Sequence, residues 1–220
     1  MIQPDKIIRS ARKTLSVSVD ALGQVTVRAP KTCTTARIIA FLSDKESWIL
    51  RKKSERAGAG MHLPPENLDG FSMLVLGEYY TLRLINDKHI RVDAEQKQLF
   101  LPSDKPKERL IKWLKENAKR IFAKLVDEKS RQTGLAYKSV GVGSARTRWG
   151  SCTADNRLTF SFRLLYAPKG AIEYVVVHEL AHVKHKNHSK AFWLEVEKYI
   201  PDYKIWRKWL KDKAYLMKIF

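Results

Sequence analysis

The sequence lacks several features that would place it in a special structural class. It has only 2 cysteines among 220 residues, Cys33 and Cys152, and they lie far apart. Neither a disulfide framework nor a cysteine-rich metal site is therefore expected. No stretch approaches the roughly 20 apolar residues that a membrane helix needs, and no apolar run follows the first charges of the chain. We expect a cytoplasmic protein with no membrane association.

Acidic residues are scarce relative to basic ones. Lysine and arginine number 42 against 23 aspartates and glutamates, which gives a formal net charge of +19. A field of this sign attracts polyanions and anionic substrates. The basic residues run from end to end and mix with glutamates over residues 106–133, so a solvated surface explains much of the excess. We also expect the basic surface to bind nucleic acid weakly.

Residues 1–104 are predicted to form a β-rich part with one helix. Short segments of alternating polarity predict strands, and an apolar stripe at helical spacing predicts the helix. The predicted elements are, in order, a hairpin of 15–19 and 24–29, a helix over 35–56, and strands over 73–85 and 90–101.

Residues 105–220 are predicted to be mainly helical and to carry the chemistry. A long helix over 106–133 has a core-facing stripe and ends at Gly134, because glycine tolerates the left-handed conformation that closes a helix. Strands are predicted over 139–142 and 158–164, and a further helix begins near Ala171. The expected fold class is α+β, with the β-rich part before a domain that carries its functional site on a helix.

The motif that carries the chemistry is His178-Glu179-Leu180-Ala181-His182, which follows the apolar segment 172–177. Residues four apart share one face of a helix, so both imidazoles can bind one metal ion. Glu179 is turned roughly 100° from His178, beside the metal rather than on it. That position suits a general base that takes a proton from metal-activated water.

A tetrahedral catalytic site needs a third protein ligand and leaves the fourth position for water. His188 follows His182 by six residues, just after the expected helix end, where a turn can return it to the metal. His185 lies on the same stripe but a turn further along. The remaining candidates are Glu195 and Glu197, on the helix that follows.

Arginines and tyrosines near the motif are candidates for contacting the substrate. Hydrolysis needs donors for the negative charge that develops on a substrate oxygen. Arg148 is the candidate we favour for this role, because guanidinium groups suit both oxyanions and phosphate oxygens. The other candidates are Arg146, Arg163, Tyr166 and Tyr174.

Several spaced motifs of the second half occur in the same order in a known family. They are Arg148-Trp149-Gly150-Ser151-Cys152, Leu158, Phe160-Ser161, Arg163-Leu164, Pro168, the segment 174–182, Asn187-His188-Ser189 and Phe192-Trp193. In this order they resemble the YgjP-like metallopeptidase domain, and more distantly the SprT-like and WLM proteases, which act on proteins bound to DNA. The resemblance implies a zincin-like domain over residues 105–220 whose third metal ligand is His188.

Three functions are compatible with these residues. A zinc metallopeptidase acting on a peptide is the first, although nickel, cobalt or manganese also binds nitrogen ligands. A nucleoside triphosphate pyrophosphohydrolase acting on UTP is the second, since members of the family have been assigned that activity. The third is a DNA-associated binding protein with a structural metal, whose binding would depend steeply on salt and survive loss of Glu179.

Overall fold

The structure is a computed structural model that describes residues 2–19, 23–57 and 64–220, with only the backbone described for 55–57. The chain divides into two compact units, residues 1–63 and residues 64–220. Helices and small sheets occur in both, so the predicted α+β class is confirmed. The domain boundary predicted between residues 104 and 105 falls inside the second unit.

The first unit contains a three-stranded sheet and two helices. Its elements are β1 Lys6–Ser10, β2 Ser16–Val19, β3 Val25–Pro30, α1 Thr35–Asp44 and α2 Glu46–Ala57. The central strand β3 pairs in parallel with β1 and antiparallel with β2, so the predicted hairpin is confirmed, although most of its turn lies outside the described residues. Alternate residues of β3, namely Val25, Val27 and Ala29, are fully buried and form the core with the helices.

The prediction of one helix over 35–56 was wrong, because the structure has two. Lys45 leaves the helical conformation (φ −104°, ψ 5°), and its N–H bonds to the carbonyl oxygens of Leu42 and Ser43, which tightens the last turn of α1. Ile38 in α1 and Ile49 in α2 are both buried in the same core. Apolar periodicity continues across the break, and for this reason the sequence pattern did not reveal it.

The second unit begins with a four-stranded sheet in the order β4-β5-β7-β6. The strands are β4 Ser72–Val75, β5 Glu78–Ile85, β6 Arg91–Asp93 and β7 Gln98–Pro102. The strand predicted over 73–85 is in fact two strands, β4 and β5, and the strand predicted over 90–101 is also two, β6 and β7. Leu76 (φ 53°) and Gly77 (φ 85°) form a two-residue turn between β4 and β5, the conformation that closes a tight hairpin.

A long helix and a second three-stranded sheet follow. They are α3 Pro106–Thr133, β8 Ser139–Gly143, β9 Gly150–Cys152 and β10 Arg157–Ser161. Helix α3 has the predicted bounds and ends at Gly134 (φ 70°). The central strand β10 pairs in parallel with β8 and antiparallel with β9, a strand that the prediction missed. The strand predicted over 158–164 stops at Ser161, and a 3₁₀ turn, Phe162–Tyr166, continues the chain.

Three α-helices follow, α4 Lys169–Lys184, α5 Lys190–Tyr199 and α6 Tyr203–Asp212, and a 3₁₀ turn, Ala214–Lys218, comes after them. Helix α4 contacts α3, α5, α6 and β9, so most of its side chains are buried. A helix surrounded in this way needs apolar residues on nearly every side, which explains the run at 172–177. None of the described helices combines the length and apolar character needed to cross a membrane.

Candidate metal centre

Three imidazole rings converge at the C-terminal end of α4. The Nε2 atom of His188 lies 3.2 Å from that of His182 and 3.0 Å from that of His178. His178 and His182 are one helical turn apart, and His188 returns from the segment that follows the helix. Among the described residues, these three are the only group of at least three histidine, cysteine or acidic side chains placed to hold a metal ion.

Helix α4 ends early enough for the chain to turn back. His185 is its C-terminal cap, with an N–H that bonds to the carbonyl of Ala181, and the next helix starts after Ser189, whose Oγ accepts from the Phe192 N–H. Phe192 is fully buried, and its ring centroid lies 4.5–4.9 Å from those of all three histidines. The loop and this aromatic ring together fix the position of His188.

The ring nitrogens that face away from the centre have partners of their own. Nδ1 of His182 lies 2.9 Å from the carbonyl oxygen of His185, and Nδ1 of His178 lies 3.4 Å from the hydroxyl of Tyr174. A partner at Nδ1 orients the ring and fixes the tautomer that leaves Nε2 free to bind a metal. Tyr174 therefore acts on the centre through His178.

The other candidate ligands lie elsewhere. Glu195 forms a salt bridge with Lys184 at 2.6 Å, and the side chain of His185 lies 3.8 Å from the same carboxylate. Glu197 faces Lys204 at 3.8 Å. Among the described residues, neither glutamate nor His185 joins the group of side chains placed to hold an ion.

The three histidines fit a divalent metal. Burial, reinforced by the other two imidazoles, lowers the pKa of His178 to about 3, and burial also lowers the pKa of His182. Both rings are thus neutral at neutral pH, the form that binds metals. Nitrogen ligands about 2.0–2.1 Å from a tetrahedral ion would be about 3.3 Å apart. The two spacings at His188 are close to that value.

Glu179 lies next to this cluster and is only 6% exposed. Burial raises its pKa to about 7, and the charge of Arg148 acts in the opposite direction. The carboxylate fits because Gly150 has no side chain: a Cβ there would lie 2.7 Å from Glu179 Oε1. Strand β9 thus passes directly beside the carboxylate, an arrangement that the sequence alone did not indicate.

A cavity of about 350 Å³ opens beside His178 and Glu179. Two of the residues suggested for substrate contact, Arg148 and Tyr174, line it. Two further cations from α6, Arg207 and Lys211, also line it and were not predicted. The packing of α6 against α4 brings them there, and the sequence pattern of α6 alone does not place them at this site.

The remaining candidates for substrate contact do not line this cavity. Arg163 is 2% exposed and donates to the carbonyl oxygens of Ser144, Ile219 and Phe220. Arg146 also donates to the carbonyl oxygen of Phe220. These arginines hold main-chain segments together, a structural role in place of the suggested site role. The hydroxyl of Tyr166 is likewise buried away from the cavity.

The chain as a whole matches a known protein family. The model of the YgjP-like metallopeptidase domain matches residues 13–213, nearly the whole chain. The chain belongs to the YgjP-like metallopeptidase family. Membership implies a metal-dependent peptidase that binds a divalent metal, and the histidine cluster is the group that fits such an ion.

One solved structure similar to this YgjP-like chain is the metallopeptidase zymogen of Pyrococcus abyssi abylysin. It is 23% identical, with a TM-score of 0.39, and the match covers 42% of this chain and 93% of abylysin. No curated protein matches the chain.

Proposed function

We propose that this YgjP-like chain is a zinc-dependent peptidase that cleaves peptide bonds by attack of water. The observation that carries the proposal is the buried carboxylate of Glu179 beside the converging imidazoles of His178, His182 and His188. Three nitrogen ligands with a fourth position free are typical of catalytic zinc sites. Zinc is preferred because such sites suit its tetrahedral geometry and borderline-soft character.

Glu179 is the general base of the proposed reaction. A zinc ion bound at this centre would supply Lewis-acid chemistry by polarising the attacking water and the scissile carbonyl. Glu179 accepts a proton from the water at a carboxylate oxygen and delivers it to the leaving amine. A pKa near 7 suits both transfers, because the carboxyl group gains and loses a proton readily at neutral pH. Arg148 supports the ionised form by lowering that pKa.

The free edge of β9 favours a peptide as the substrate. Within the second unit, β9 is an edge strand, because the order of its sheet is β8-β10-β9. It contacts α4, and at its start Gly150 leaves no room for a Cβ beside the Glu179 carboxylate. An extended peptide can pair with such an edge through main-chain hydrogen bonds. Pairing there would lay the peptide along the catalytic carboxylate.

A second candidate function is pyrophosphohydrolysis of a nucleoside triphosphate such as UTP. The observation that favours it is the presence of Arg148, Arg207 and Lys211 on the wall of the cavity. Guanidinium and ammonium groups bind phosphate oxygens well, and cations stabilise a phosphoryl group during transfer. Glu179 would serve as the base in this reaction too.

The two functions are separated by offering both substrates to the same zinc-loaded preparations. An unfolded, carboxymethylated protein and a panel of nucleoside triphosphates are incubated with wild type, Glu179→Gln and Glu173→Gln. Glu173 is a matched control, since it lies on α4 but forms salt bridges with Lys129 and Lys169. We expect wild type and Glu173→Gln to release peptide fragments, whereas Glu179→Gln loses about 10²–10⁴-fold in rate with its zinc retained.

Two results would contradict the proposal. Wild-type rates in Glu179→Gln would remove Glu179 as the base. Absence of peptide fragments, together with pyrophosphate release from UTP that requires Glu179, would establish the second candidate in place of the first.

A further inference from the structure

Three cations line one small cavity beside the candidate metal centre. Arg148 comes from the segment before β9, and Arg207 and Lys211 come from α6. We propose that this cavity binds an anionic oxygen group of the substrate, a carboxylate or a phosphate, next to the bond that is cleaved. The proposal rests on the hydrolytic function above, but the binding that it describes can be measured independently.

Arg148 interacts electrostatically with the Glu179 carboxylate, but none of the three cations is held in a salt bridge among the described residues. Among the described residues, no aspartate or glutamate forms a salt bridge with Arg148, Arg207 or Lys211, and Glu179 is the only acidic residue lining the cavity. The contrast within α6 is informative, because Lys208 does form a salt bridge, with Asp212 at 3.0 Å. Asp212 therefore neutralises Lys208, which does not line the cavity, whereas Arg207 and Lys211, which do, keep their positive charge.

Arg207 and Lys211 are exposed side chains that repel each other slightly in the protein alone. They are four residues apart on one helix and line the same cavity. Like charges at this spacing repel and destabilise a helix slightly. An anion between them removes the repulsion, so the pair costs least when the cavity is filled by such a group.

Arg207 is held in a defined orientation. Its guanidinium lies 4.6 Å from the ring centroid of Trp193, a cation–π contact, and Trp193 stacks on Tyr203 at 5.3 Å. The ring of Trp193 also stacks on His188 at 5.6 Å. A guanidinium fixed on a flat ring keeps its N–H edges free for bidentate binding of a carboxylate or phosphate. The same indole thus sets the position of Arg207 relative to a metal-binding histidine.

The remainder of the cavity wall is largely apolar. It includes Trp149, Val175, Leu210 and Ala214. Apolar walls with cations at a few points suit a ligand with a hydrophobic stem and an anionic end. A glutamate side chain of a peptide has this form, and so does a nucleotide that presents its phosphates.

The first test measures selectivity in zinc-loaded protein. The substrates are UTP and two matched peptides that have Glu or Gln beside the cleaved bond. The test variant combines Arg207→Gln with Lys211→Gln, and the control variant is Lys208→Gln. We expect wild type to favour Glu over Gln peptides, or UTP over both, by about tenfold or more in kcat/KM. The double variant should lose this preference, whereas Lys208→Gln should keep it. Preference for the Glu peptide identifies a carboxylate as the ligand, and preference for UTP identifies a phosphate.

The second test is independent of turnover and separates failure of this proposal from failure of the proposed function. Glutarate and inorganic phosphate are titrated calorimetrically into wild type and the double variant at equal zinc content. Binding of either probe that is at least about tenfold weaker in the double variant supports an anion site even if no substrate is cleaved. Equal binding in both proteins, or no binding in either, overturns the proposal.

Discussion

Each unit contains a cavity with a basic wall, and the larger cavity is not the one beside the candidate metal centre. The cavity of the first unit has a volume of about 750 Å³, against about 350 Å³ in the second. Its lining includes Arg12, Lys13, Arg37, Cys33 and Asp44. Neither its size nor its charge distinguishes it as the better candidate for a reaction.

The difference lies in what surrounds the cations. In the first unit, Arg12 donates hydrogen bonds to Ser16 and Thr14, and Asp44 offsets part of the charge. In the second unit, the cations adjoin a buried base and a histidine cluster on α4. Basic charge is common in this chain, so charge and volume indicate a reaction site only where a reactive centre adjoins them.

Among the substitutions that test the difference between the two cavities, we expect the largest effect from replacing His188, the proposed third metal ligand. Replacing His188 with Ala removes one of the three ligand atoms, so we expect zinc affinity to fall by more than about 100-fold. Replacing His185 with Ala is the matched control, because His185 contributes its main-chain oxygen to His182 and Ala keeps that oxygen. Competition with a chromogenic chelator measures both. Equal losses in the two variants would show that His188 is not the third ligand.

A smaller effect is expected where β9 passes the carboxylate of Glu179, the proposed general base. The Cβ of Gly150→Ala would lie 2.7 Å from Oε1 of Glu179, which forces the carboxylate to move. A displacement of about 1 Å at a reacting group costs roughly 100-fold in rate. Zinc content should not change, and kcat for the peptide substrate measures the loss.

Gly143→Ala in β8 is the control for this change. The Cβ at position 143 would meet Thr159 Cγ2 at 3.6 Å, an ordinary contact, so the rate should stay within about twofold of wild type. If Gly150→Ala kept the full rate, the contact between β9 and Glu179 would have no catalytic importance.

The smallest effect is expected in the larger cavity. Arg37→Gln removes one cation from its wall, and we expect kcat/KM and zinc content to change by less than about twofold, since among the described residues no group of side chains placed to hold a metal lines that wall. The measurement is the same peptide assay. A loss comparable with that of the Arg207 and Lys211 double variant would abolish the distinction between the two cavities.

Local patterns predicted some parts of the fold well and others poorly. The approximate bounds predicted for helix α3 agree with the structure, because its apolar stripe is long and Gly134 closes it. The four-stranded sheet was predicted as two long strands, since the turn at Leu76 and Gly77 interrupts the apolar pattern by only two residues. Strand β9 was missed altogether, because Gly150–Cys152 is too short for periodicity to register.

For the candidate site, the sequence determined which residues can carry the chemistry. The spacing of His178, Glu179 and His182 on an apolar helix follows from helical geometry alone, and the motif order indicated His188. Tertiary structure decided the rest: it placed Gly150 against Glu179 and brought Arg207 and Lys211 from α6 to the same cavity. Those contacts join segments tens of residues apart in the chain. They form because β9 and α6 pack against α4, and the periodicity of a single segment does not show which other segment it packs against.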